Sequence, residues 1–383
     1  MHTLIELFDR EPLENAAAPL LFRPAKIVYL GCRDIMRGRQ ILDLRRFFKA
    51  AGLEAELEFL PVDRYDRDGI SRRVLEVLQR NQDCAFDLTG GSELLLVAVG
   101  ELSRLMGISM HQVNVEKQTV LTIEGPDTEP VERVDLTVAQ NVLLHGGKIL
   151  SSEEQGWEIT EDFVSGICTL WGYCRKTPDL FNRHAAFFAS SSVVDGLTMK
   201  WDTGRGQPEP DAAFLSNLRR DGFFTELERT KNGYRFTYRD RSLKRLFAKA
   251  GNLLEVYVYL AAMKSGVFTD VRQGVTIDWD AESGANPTET KNEVDVLAMH
   301  GLIPVFLSCK NGIVKKDALY ELETVSDRFG GRYAARALAA TSVGGGAGDA
   351  YLRNRARDSG IVLIEDVNQM DLDTLSKRIT DLL

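Results

Sequence analysis

The sequence predicts an α/β protein of more than one domain. Between Ala25 and Gly125 short apolar runs alternate with segments of helical period, and beyond residue 240 the alternation returns with a different element order. A chain of 383 residues is also long for one domain, at roughly 100–200 residues each.

In the first stretch KIVYLG (26–31) reads as a buried strand and GRQILDLRRFFKAAG (38–52) as a helix closed by Gly52. AELEFLPV (55–62) is a strand, ISRRVLEVLQRN (70–81) a helix, and CAFDLTGG (84–91) a strand entering a glycine turn. SELLLVAVGELSRLMG (92–107) is a helix, and SMHQVNVE and QTVLTIEG are strands. Strands joined by helices of this length form βαβ units with a parallel sheet, so residues 1–130 are expected to be Rossmann-like. The polar, proline-bearing PDTEPVERVDLT then ends the sheet.

Residues 131–240 are less regular. LTVAQNVLLHGG, EDFVSGICTLWGYCRKT and DAAFLSNLRRDGFFTELER have helical spacing, WDTGRGQPEPD (201–211) is a loop and NGYRFTYRD (232–240) a short strand. A helical or winged-helix-like connector is the expectation. Residues 241–383 open with one long helix over 242–266, followed by strands in FTDVRQGVTIDW, NEVDVLAMHG and LIPVFLSCKNG. Helix VKKDALYELETVSDRFGG, strand AARALAATS, helix AGDAYLRNRARDSG, strand IVLIEDV and a terminal helix complete the chain.

Composition narrows the function. The formal charge is −9, so nucleic acid is not bound by bulk charge, and any contact needs a local patch. One candidate is 229–249, where Arg229, Lys231, Arg235, Arg239, Arg241, Lys244, Arg245 and Lys249 face only Asp240 and alternate with Tyr234, Phe236 and Tyr238. Arg353, Arg355 and Arg357 form a weaker second patch. The five cysteines form no CxxC pair, and His111, His184 and His300 lack metal spacing. The first thirty residues lack the features of a signal peptide, and no apolar run approaches the roughly 20 residues of a membrane span. A cytoplasmic protein without a membrane segment is expected.

Chemistry concentrates in the last third. Strands NEVDVLAM and IPVFLSCK flank His300-Gly301 and predict an antiparallel hairpin. A two-residue loop places Glu293 opposite Ser308, and a four-residue loop places Asp295 there. Either register sends Glu293, Asp295, Ser308 and Lys310 to one face. Carboxylates beside a lysine suit a divalent metal and a phosphodiester: hard oxygens hold Mg²⁺ or Mn²⁺, and the cation offsets transition-state charge. The Cys309 carbonyl and Glu255, in the preceding helix, are further candidate ligands, and Glu321 and Glu323 on the next helix lie within possible reach.

Glu255, Asp295 and the tripeptide Ser308-Cys309-Lys310 resemble the PD-(D/E)xK nuclease core over about 240–383. Serine stands where that family has its second carboxylate, and Glu293 is the natural substitute. In the first third, DLTGGS (87–92) ends a strand and opens a helix, offering free N–H groups and the helix dipole to an anion. Together with a C-terminal nuclease it resembles the CRISPR-associated Rossmann-fold (CARF) sensor domain. The whole chain is similar to the CARF and PD-(D/E)xK fusion endonucleases of type III CRISPR systems. That resemblance implies a homodimer that binds a cyclic oligoadenylate, tetra- or hexa-adenylate, through Thr89, Gly90, Gly91 and Ser92, with Gly31, Cys32 and Arg33 alongside. It also implies metal-dependent cleavage of RNA or DNA at Asp295, Lys310, Glu255, Glu293 and Ser308. Two rivals stand beside it: a ligand-sensing transcription regulator with a degenerate nuclease fold, and a constitutive repair or restriction nuclease.

Overall fold

A computed structural model describes residues 1–126, 131–176, 178–203, 209–249, 251–279, 291–343 and 347–383. The polar loop expected at 280–290, and parts of those expected at 126–137 and 201–211, fall outside the described residues. The α/β class read from the sequence holds.

The N-terminal sheet is built from β1 (Thr3–Leu7), α1 (Ala17–Phe22), β2 (Lys26–Cys32), α2 (Gly38–Ala50), β3 (Glu56–Val62), α3 (Arg67–Arg80), β4 (Cys84–Asp87), α4 (Glu93–Met106), β5 (Ser109–Asn114) and β6 (Thr119–Glu124). Its order is β3-β2-β1-β4-β5-β6, parallel except for β6. The sequence does not announce β1, yet it lies in the middle with every residue buried. Glu6 interrupts its apolar run, and a five-residue strand carries little periodicity. Its position brings the following loop, residues 8–16, to the sheet edge where DLTGGS sits.

The middle region holds α5 (Val138–Leu144), β7 (Lys148–Ser151), α6 (Glu161–Lys176), α7 (Pro178–Ser190), β8 (Ser192–Asp195), β9 (Thr198–Asp202), α8 (Ala212–Arg220), β10 (Phe224–Thr230), β11 (Gly233–Tyr238) and α9 (Arg241–Leu246). Two hairpins form a four-stranded sheet, β10-β11-β9-β8. FFTELER, expected in a helix, is strand: Gly222 adopts φ 81°, which stops α8 and lets the chain reverse. The expected helix over 242–266 is two. Asn252 Nδ2 donates to the Arg245 carbonyl at 3.0 Å, capping α9 before a new helix starts.

The last region comprises α10 (Asn252–Ser265), β12 (Asp270–Asp278), β13 (Lys291–His300), β14 (Ile303–Ile313), α11 (Lys316–Gly330), β15 (Ala335–Ser342), α12 (Ala347–Asp358), β16 (Ile361–Ile364) and α13 (Leu372–Thr380). The sheet order is β16-β15-β14-β13-β12-β7, so β7 is one of its two edge strands. Leu254, Val256 and Leu260 of α10 pack with Val296, Ala298 and Leu307 on one face. Leu319, Leu322 and Val325 of α11 pack with Leu297, Met299 and Phe306 on the other, in an apolar cluster that continues to Phe8, Tyr29 and Phe47 of the N-terminal sheet.

Candidate functional site

Gly301, at φ 60°, turns β13 into β14, and His300 pairs with Ile303. This is the register that brings Asp295 to Ser308. Asp295 Oδ2 accepts the Ser308 hydroxyl at 3.2 Å and the Cys309 N–H at 2.6 Å. Glu293, Asp295, Ser308 and Lys310 line one cavity of about 240 Å³, closed from the helix side by Glu321, Leu322 and Val325 of α11. Strand alternation sends the buried Cys309 side chain to the opposite face, among the residues of α10.

Glu255, in the first turn of α10, does not line that cavity. Its charge environment is nonetheless shared: burial first, then the carboxylates of Asp295, Glu293 and Glu153, push it from the ordinary 4.5 to about 7. Glu153, which no motif marks in the sequence, reaches the cluster from the segment between β7 and α6. Lys249 is the nearest balancing cation, 3.2 Å from Glu153 and 3.9 Å from Glu293. Among the described residues no three His, Cys, Asp or Glu side chains already converge as a metal cage. The donor set is all hard oxygen, and the like-charge strain at Glu255 is what a divalent cation relieves, so the residues suit Mg²⁺ or Mn²⁺ chemically.

In the N-terminal sheet, Thr89 is fixed by Asp87. Its hydroxyl donates to Asp87 Oδ1 at 2.7 Å and accepts the Val113 N–H at 2.8 Å. Gly91 donates its N–H to Asp9 Oδ2 at 3.0 Å. A Cβ at Gly90 would lie 2.8 Å from Asp9 Cβ, so glycine there admits the loop after β1. Cys32 Sγ lies 3.5 Å from Ser92 Oγ, joining the two loops the sequence singles out, and Gly31 is pressed against Phe8. Arg33 follows on the exposed side. Glu6 and Asp87 form a buried acid pair beneath this turn. Burial and the Asp87 charge raise the Glu6 carboxyl well above its usual range, and burial lifts Asp87 to about 6.

Residues 240–381 match the family "Card1-like, endonuclease domain". They contain Glu255, Asp295, Ser308 and Lys310, and the endonuclease resemblance of the last third is borne out. Protein VC1899 from Vibrio cholerae is similar over 100% of this chain and 98% of its own, with TM-score 0.75 and 16% identity. Can2 from Sulfobacillus thermosulfidooxidans, solved in complex with cyclic tetra-adenylate, is similar over 100% of this chain and 99% of its own, with TM-score 0.74 and 15% identity. At such identities the likeness carries the fold. No curated protein matches the sequence significantly.

Outside the endonuclease-like core, the basic stretch at 229–249 does not offer the stacking surface its pattern suggests. Tyr234, Phe236 and Tyr238 are buried in the connector's aromatic core, because alternation along β11 turns all three to the face packed on Phe187, Phe188 and Phe247. Arg229 pairs with Glu209, Arg239 with Asp240, and Lys244 donates to the Gly196 carbonyl. Arg353 is paired with Glu365, and Arg355 with Glu323. The histidines are structural: His184 Nε2 accepts the Asp211 N–H, His300 bonds the Val267 carbonyl, and His111 is buried against Phe22. No described helix is long and apolar enough to cross a membrane.

Proposed function

We propose that the protein is a cyclic oligoadenylate-activated, Mn²⁺- or Mg²⁺-dependent endonuclease of type III CRISPR defence, working in the cytoplasm as a homodimer. The observation that carries this reading is the cavity shared by Asp295, Ser308, Glu293 and Lys310 inside the region that matches the endonuclease family. Asp295, Glu255, Glu293 and the Cys309 carbonyl would hold the metal, which supplies a water of lowered pKa and charge neutralisation at the phosphate. Lys310 sets its ammonium beside the scissile phosphate and offsets the charge that develops there. Asp295 is held in orientation by the Ser308 hydroxyl and the Cys309 N–H. The sensor assignment, residues 1–130 with Thr89, Gly90, Gly91, Ser92, Gly31, Cys32 and Arg33 at the ligand, is supported by the fold shared with the cyclic tetra-adenylate-bound Can2. Connector 131–240 and nuclease 241–383 complete the proposed division.

A ligand-gated transcription regulator is the second reading, favoured by Ser308 in place of a carboxylate and by the lack of a preformed acid cage among the described residues. One assay separates them: Mn²⁺ with labelled single-stranded RNA, single-stranded DNA and supercoiled plasmid, with and without cyclic tetra- and hexa-adenylate, wild type beside Lys310→Ala. Cleavage that needs both ligand and Lys310 supports the nuclease. Ligand binding without cleavage of any substrate moves the reading to the regulator.

A further inference from the structure

Lys249 stands just before α10, where the connector passes into the endonuclease-like region. Its ammonium contacts Glu153 at 3.2 Å and Glu293 at 3.9 Å. Glu153 is itself firmly placed. Its N–H donates to the Gln273 carbonyl at 2.7 Å, and its side chain lies on Gly274. That glycine has φ +57°, and a Cβ on it would come within 2.5 Å of Glu153 Cγ, so the strand is shaped to admit this glutamate. Glu153 Oε1 holds Lys249, while among the described residues the buried Oε2 has no hydrogen bond and lies 3.8 Å from the Arg245 guanidinium. A glutamate anchored in this way holds the half-exposed lysine beside the acid cluster.

We propose that Lys249, positioned by Glu153, is a tethered cation that neutralises Glu293 and Glu255 in the metal-free protein and competes with the divalent ion for them. The inference rests on the reading of those carboxylates as metal-ligating, and adds a built-in competitor that the sequence motif does not contain. A cation fixed within contact distance of one ligand repels a second cation there, so metal entry requires Lys249 to withdraw. Glu153 acts through Lys249 and is a positioning residue.

The test is calorimetric titration of MnCl₂ into the full-length, ligand-free protein at low ionic strength. Lys249→Met is expected to bind Mn²⁺ about tenfold more tightly than wild type, and Lys249→Arg to stay near wild type. Glu153→Gln, which releases Lys249 onto Glu293, is expected to bind several-fold more weakly by the same electrostatics. The double variant Glu153→Gln/Lys249→Met should match Lys249→Met alone, which a merely structural role for Glu153 does not produce. Unchanged affinity in Lys249→Met, with wild-type binding intact and lost in Asp295→Asn, overturns the inference and leaves the metal-centre reading standing. Absence of Mn²⁺ binding by the wild type overturns both.

Discussion

The hydroxyl of Tyr333 donates to the carboxylate of Glu14 at 2.8 Å, and the Arg332 guanidinium reaches the same carboxylate. The two sides of this contact lie far apart in the chain. Glu14 belongs to the loop after β1, which also supplies Asp9 to the Gly91 N–H. Arg332 and Tyr333 form the single turn between α11, which lines the cavity of Asp295 and Lys310, and β15, which pairs with Ser308, Cys309 and Lys310. One loop therefore touches the proposed ligand turn and the support of the proposed nuclease centre.

Glu14 is only 3% exposed, so losing its cation leaves a buried charge. Arg332→Ala is expected to lower unfolding stability by about 2 kcal/mol, discounted because the guanidinium itself is largely exposed. Glu14→Gln keeps the Tyr333 hydrogen bond and removes the charge. It should reduce ligand-stimulated cleavage about tenfold at unchanged cyclic tetra-adenylate affinity, an effect on the order of 1.4 kcal/mol of coupling. Equal loss of affinity would show instead that Glu14 belongs to the ligand pocket.

The acid pair beneath the turn makes stability depend on pH. Asp87 has its carboxyl raised from 3.8 to about 6 in the folded protein, so the native state holds this proton more tightly than the unfolded chain does. Its favourable contribution is full below about pH 4 and is lost as pH rises through 6. At 1.36 kcal/mol per unit the loss is about 3 kcal/mol. Glu6→Gln removes the second carboxyl, itself raised by burial and by the Asp87 charge, while keeping the shape and a hydrogen-bond donor toward Asp87. Thermal unfolding of this variant and wild type should diverge above pH 6, with the variant more stable at pH 8, and converge near pH 4. A constant difference across that range would rule the pair out as the source.

At the nuclease end the serine of the tripeptide is the departure that matters. Ser308 only donates to Asp295, whereas Glu293 brings a carboxylate to the same cavity. Glu293→Ala should therefore depress Mn²⁺-dependent cleavage by about a hundredfold, and Ser308→Ala by less than about tenfold, the scale of losing an outer hydrogen bond to a ligand. Activity measured against Mn²⁺ concentration checks this. The reverse ranking would make Ser308, not Glu293, the replacement.

Much of this was legible because it is periodic. Alternating apolar strands and helices specify the parallel sheet, and period-2 geometry puts Asp295, Ser308 and Lys310 on one face whichever register holds. What periodicity does not reach is long-range pairing. β1 and β7 are too short to stand out, and each is defined by partners distant in sequence. Glu153 becomes part of the site only because β7 joins β12, and Glu255 meets the charges of Asp295 and Glu293 from the α10 side of the sheet without lining the cavity. The aromatic residues among the cations at 229–249 show the limit from the other side. Alternation marks a strand with two faces, and the sequence does not say that the aromatic face is the core.

Backbone shape at the sensor turn gives the last test. Gly91 holds φ +105°, where side chains are strained, and an added Cβ would lie 2.6 Å from Leu7 Cβ in the central strand. Gly91→Ala combines that strain, about 1–3 kcal/mol, with a contact that only backbone movement relieves. The movement would break the Gly91 N–H bond to Asp9 and shift the loop that carries Glu14. Expected results are a cyclic tetra-adenylate affinity weaker by at least about tenfold and a loss of ligand-stimulated cleavage, with Mn²⁺ affinity of the ligand-free protein unchanged. Gly52→Ala, also at positive φ but with open space around its Cβ position, should cost stability alone. Equal effects of the two substitutions on ligand binding would mean that the turn at 87–92 contributes nothing specific to recognition.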